Sequence, residues 1–163
     1  MASLTRVNIC NAIESLFESD TTLYGPIGYI NFITDRFVDF ENSRIGIDKP
    51  YKMYLKCTRR EKIEVRMGKN VDYAFTVLYR IEGLKSNPET AKEQIDIIDE
   101  RIEHLCDNEM WTGNNLSSHF TNTECTIINI EWEASECDTR KDDGGWKVEC
   151  EGSIRIEINR VKP

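Results

Sequence analysis

Two histidines, a helix rich in carboxylates, six cysteines and one dense run of bases are the residues here that could do chemistry. His119 follows Ser117 and Ser118, the residue types of a base-activated nucleophile, but no G-x-S-x-G turn surrounds them. His104 falls on the polar side of a helical pattern beside Leu105, where a partly exposed structural role outweighs acid or base work. Asp96, Asp99, Glu100 and Glu103 are helical neighbours that could hold a divalent cation, yet in so acidic a chain a solvated helix face accounts for them better. Asp138, Asp142 and Asp143, ahead of Gly144 and Gly145, lack the spacing of a calcium loop, and Gly25 and Gly28 lack the lysine of a phosphate-binding loop. The reading is a non-enzyme with no catalytic residue, metal or cofactor.

The cysteines are Cys10, Cys57, Cys106, Cys125, Cys137 and Cys150, and no two are closer than twelve positions. Without a C-x-x-C pair, and with only His104 and His119 to complete a zinc site, reduced core thiols are expected, ahead of disulfides or metal.

Charge is the more telling feature. The chain carries -8 overall, but residues 52–69 hold seven bases against two acids, a net +5, and residues 124–151 hold nine acids against three bases, a net -6. The basic stretch, with Tyr51 and Tyr54 beside it, could neutralise phosphates, although the acidic whole opposes sequence-independent nucleic-acid binding. Segregated charge suits a head-to-tail contact between copies, with Arg59, Arg60, Lys62 and Arg66 as the basic side of a subunit or tube interface. Glu133, Glu136, Asp138, Asp142 and Asp143 then form an acidic loop facing a partner or a lumen. The bland alternative is solubility charge with no partner.

The elements that must position these groups follow from periodicity. At 163 residues the chain fits one domain, 1–163, and no run approaches the roughly 18 apolar residues of a membrane span. Ile9, Ala12, Ile13, Leu16 and Phe17 predict a helix over 3–18, with Ser3 as its cap. Residues 20–50 read as a long irregular connection holding one short strand or helical turn near Ile30 to Phe40. Met53, Leu55 and Cys57, then Ile63, Val65 and Met67, predict two strands with a basic turn between Cys57 and Ile63. In VDYAFTVLYRIEG, Val71 to Gly83, one face carries Val71, Tyr73, Phe75, Val77, Tyr79 and Ile81.

Asn87 before Pro88 starts a second helix whose stripe, Ala91, Ile95, Ile98, Ile102 and Leu105, is the natural cover for that aromatic face. MWTGNNLSSHF reads as irregular. Thr126, Ile128, Ile130 and Trp132 share one strand face, as do Trp146, Val148, Cys150, Ile154, Ile156 and Ile158, with Gly152 as a bulge or bend. Residues 133–145 read as an acidic hairpin tip. The fold class is α+β, a mostly antiparallel sheet with two helices packed on one face.

This order of elements, with the strand ending LYRIEG, the helix IDIIDERIEHL and the final strand IRIEINRV, resembles the tail terminator (tail completion) family of long-tailed bacteriophages, of lambda type. The resemblance implies a virion protein of the tail or neck, assembled in the host cytoplasm. It implies a homo-oligomeric ring, a hexamer, on the head-proximal end of the tail tube. There the ring stops tube polymerisation and contacts the tail tube protein and the head-tail connector or stopper, while DNA passes its lumen without specific binding. Another phage neck or baseplate adaptor, or a small nucleic-acid- or ligand-binding module using the basic hairpin 52–69, are the alternatives.

Overall fold

A computed structural model describes residues 4–25, 28–34, 51–65, 70–85, 87–112, 115–120, 122, 124–142 and 144–161. What is expected of residues 35–50, Arg66 and Asp143 lies outside the described residues.

Helix α1, Arg6–Glu18, begins where the Thr5 hydroxyl accepts the Asn8 amide at 3.2 Å, so Thr5 and not Ser3 is the cap. It buries the expected stripe from Ile9 to Phe17. Strand β1, Ile30–Thr34, is the short strand expected near Ile30. Strand β2 spans Tyr51–Val65 without a break, β3 spans Asn70–Lys85, β4 Cys125–Asp142 and β5 Gly145–Val161. The sheet order is β1-β2-β3-β5-β4, with β1 parallel to β2 and every other pair antiparallel.

Helix α2, Pro88–Thr112, starts as expected: Asn87 Oδ1 accepts the amides of Glu89 at 2.9 Å and Thr90 at 3.4 Å. It continues past Leu105, and the short helix α3, Asn115–Ser118, follows, so MWTGNNLSSHF is largely helical and not irregular. Ala91, Ile95, Ile98, Ile102 and Cys106 form its buried stripe, with Leu105 half-buried beside them. Each buried isoleucine contributes about 1.5–3 kcal/mol of transfer free energy before ordering costs. Tyr51 and Tyr79 reach α2 through their hydroxyls, and Cys57 lines a pocket with Cys10 of α1. Both helices therefore cover the sheet face that carries Met53, Leu55, Phe75, Val77 and Ile81, and among the described residues no helix lies on the other face.

Three strand expectations are corrected by register. The basic turn expected between Cys57 and Ile63 is instead a bulge within one strand, with shifts between Cys57/Arg59 and Lys62/Glu64. A shift between Ile127 and Asn129 turns β4 over, so Ile127 is buried while Ile128 is 48% exposed, against the expected Ile128 face. The expected tip 133–145 is mostly strand, because β4 stays paired with β5 out to Asp142↔Gly145. Most of its described residues are polar and exposed, so the apolar half of the strand pattern is missing there.

Gly152 is not a bulge: β5 pairs regularly through it with Tyr79 and Ser135. A Cβ at Gly152 would collide with the Tyr79 ring, so the missing side chain is the space the ring occupies. The expectation of six reduced thiols is also corrected, since Cys137 and Cys150 form a disulfide. Strand register places them directly opposite, a proximity that a separation of 13 residues does not reveal. Cys10, Cys57, Cys106 and Cys125 stand outside it, and burial pushes the Cys57 thiol up to about 11.

After α1, Asp20 accepts the amides of Thr22 and Leu23 and binds Arg101 of α2 through Nε at 2.8 Å and Nη2 at 2.6 Å. Burial raises this carboxyl, but the Arg101 guanidinium and the two amides outweigh it and hold it below its ordinary value. A depressed carboxyl stabilises the fold fully above its unfolded pKa, near 4, and that contribution disappears as pH falls through the lower folded value. The expected result is a drop in melting temperature below about pH 4 that is shallower in Arg101→Leu. That variant should lose about 1–3 kcal/mol at pH 7 by urea unfolding. Equal acid limbs in the two proteins would refute the assignment.

Candidate interaction surface

The helix-free face of the sheet is where the charged residues of β2, β3, β5 and β4 come together. Cross-strand pairing aligns Lys52, Glu82, Glu149 and Asp138 in one row, and Tyr54, Arg80, Glu151 and Glu136 in the next. Like charges opposite one another are destabilising, so Glu82, Glu149 and Asp138 side by side require cations from adjacent rows. Lys147 supplies one, 3.2 Å from both Glu82 and Glu149. Arg80 lies 3.1 Å from Glu149 and 3.4 Å from Glu151, and Arg140 3.4 Å from Glu149.

Burial decides how these groups titrate. It opposes charge on Lys147, but the hydrogen bonds and charges of Glu149 and Glu82 prevail and raise its ammonium. Burial also raises Glu149, where Lys147, Arg80 and Arg140 prevail and lower it. At Glu82 burial wins over Lys147 and Lys52, so its carboxyl is raised. At Lys52, 2% exposed, burial outweighs Glu82 and lowers the ammonium. Beside this network a depression of about 530 Å³ is floored by Leu78, Ala134, Gly152 and Ser153.

Those residues expected to form a basic interface that are described, Arg59, Arg60 and Lys62, lie on both faces of the sheet. The bulge after Cys57 sends Arg59 and Glu61 to the helix-free face, opposite Thr76 and Ala74, and Arg60 and Lys62 to the helix side, opposite Phe75 and Tyr73. Arg59 lies 3.5 Å from Glu61, and the Arg60 guanidinium sits 4.9 Å from the centre of the Tyr73 ring. All three expected bases described here, Arg59, Arg60 and Lys62, are exposed at the edge of the sheet. Of the expected acidic loop, Glu133, Glu136 and Asp138 are exposed on strand β4, and Asp142 ends that strand.

One member of the expected solvated carboxylate face belongs elsewhere. Asp99 accepts the Tyr79 hydroxyl at 2.5 Å through Oδ1 and the Ser135 hydroxyl through Oδ2, while Trp132 Nε1 donates to the Tyr79 oxygen at 2.7 Å. Burial, then Asp99, raises the Tyr79 phenol and keeps it protonated. Asp99 thus fastens α2 to β3 and β4. The need of an inward-facing Tyr or Trp for a polar partner was the available signal in the sequence. His119 Nδ1 lies 2.7 Å from the Ser15 hydroxyl and ties the end of α3 to α1, and His104 is exposed. Among the described residues no group of three His, Cys, Asp or Glu side chains is placed to hold a metal ion.

No family model matches the chain, and no curated protein matches it. Among solved structures, its fold is similar to a chain of the virion of a native gene transfer agent particle, with a TM-score of 0.55 and 9% identity. The superposition covers 96% of this chain and 99% of that one.

Proposed function

We propose that the chain is a structural virion protein of phage type, and that it serves as a tail terminator. In this role it forms a ring on the head-proximal end of the tail tube, ends tube growth and presents a docking surface to the head connector. The observation that carries the reading is the end-to-end correspondence with a virion-particle chain, which spans both proteins with almost nothing left over. At 9% identity the likeness is one of fold, and fold alone does not fix a role. Support for an assembly role comes from the surface, where an interlaced charged face lies between two exposed, oppositely charged margins. It acts by holding partners and not by catalysis, and its excess of negative charge lets DNA pass without adhering.

The test is the mass of the purified protein by light scattering at low and high salt, alone and with the tail tube protein of the same particle. A ring of about six copies, formed alone or on the tube, is the expected result. A monomer indifferent to the tube would sink the terminator role.

A further inference from the structure

The charges of the sheet are paired in its middle, while its two lateral margins each carry an exposed excess of one sign, acidic on one side and basic on the other. Arg80, Lys147 and Glu149 are all paired within the central face. On the outermost strand β4, Glu131, Glu133 and Glu136 are exposed and meet no cation among the described residues, and Asp138 accepts only the amide of Thr139. At the opposite margin β1 pairs with β2 only as far as Tyr54, so among the described residues no strand flanks the outer side of 55–65. That stretch exposes Arg59, Arg60 and Lys62, with Arg6 of α1 exposed near its start.

We infer that a second copy of this chain docks between these margins, residues 131–138 of β4 in one copy pairing with residues 56–62 of β2 in the next. The inference rests on the assembly-subunit reading above and names its contact. Strand direction permits it: β2, β3, β5 and β4 alternate, so β2 and β4 run oppositely, and two copies kept in one orientation bring them together antiparallel. An open strand margin is a template for such pairing. Charge selects head-to-tail order, because two β4 margins or two β2 margins would oppose like charges.

The register also sets a stagger. Glu131 is level with Arg155 of β5, whereas Lys62 is level, through Tyr73, with Ile158. Aligning this acidic residue with this basic one slides neighbours by about three positions, or about 10 Å, along the strands.

The test uses the full chain in two charge-reversed forms, R59E/R60E/K62E and E133K/E136K/D138K, with circular dichroism confirming that both fold. Each alone now has margins of one sign, and its self-association by light scattering should weaken at least about tenfold. Mixed in equal amounts, each margin finds its opposite, and association should return. Undiminished association of either variant, or a mixture that stays monomeric, overturns the contact. So does a wild-type protein that remains monomeric at its highest soluble concentration. A wild-type ring that ignores both reversals sinks this contact while leaving the terminator reading intact; reversible edge-dependent association with no response to tail tube protein does the opposite.

Discussion

Gly152→Val is expected to be the most damaging single substitution in the chain, lowering stability by about 3 kcal/mol or more and leaving much of the protein unfolded at moderate urea. The added carbons would enter the Tyr79 ring, whose atoms lie against the bare backbone of Gly152. Most overpacked sites relieve strain by a rotamer change, but this ring is held at its far end. Its hydroxyl donates to Asp99 and accepts from Trp132, so moving it breaks two part-buried hydrogen bonds. Gly152→Ala should show the same effect at smaller size. In a Tyr79→Ala background, itself costing about 3–5 kcal/mol, Gly152→Ala should become nearly neutral. Urea unfolding followed at 222 nm measures all four corners of this cycle. Additive costs would mean that the glycine serves something other than the ring.

Asp99→Ala should cost about 2–4 kcal/mol, although an aspartate on a helix of this charge would ordinarily be dispensable. Its two oxygens receive the Tyr79 and Ser135 hydroxyls, and removing them leaves donors from two strands without this acceptor at once. Asp96→Ala and Glu100→Ala provide the control. Both residues are exposed on the same helix, and surface substitutions of this kind stay within about 0.5 kcal/mol. Similar small losses at all three positions would show that Asp99 is solvated like its neighbours. The loss at Asp99 should also loosen the packing of α2 on β4, seen as faster amide exchange at Ile95 and Ile98.

The sequence by itself determined what depends on near neighbours. Asn87 and Pro88 start α2 because a side-chain acceptor and a missing N–H are local properties. The buried face of β3 and the stripes of α1 and α2 follow from period alone, and with them the α+β class and the cover of helix over aromatic strand. Periodicity carries phase only until something interrupts it. The shifts after Cys57 and Ile127 turned the strands over, putting Arg60 and Lys62, not Arg59, on the helix side and exchanging Ile128 for Ile127 in the core.

Only the tertiary structure decided pairings between residues far apart in the chain. The Cys137–Cys150 disulfide, the seat of Tyr79 on Gly152 and the bonding of Asp99 to Tyr79 and Ser135 all depend on which strand lies beside which and at what register. So does the placement of the two charged segments. Their opposite signs are plain in composition, but their position at opposite margins of one sheet arises from the order β1-β2-β3-β5-β4, which inserts β5 between β3 and β4. Strand order is a balance of long-range burial and backbone pairing summed over the whole sheet, and no local window of residues contains that sum.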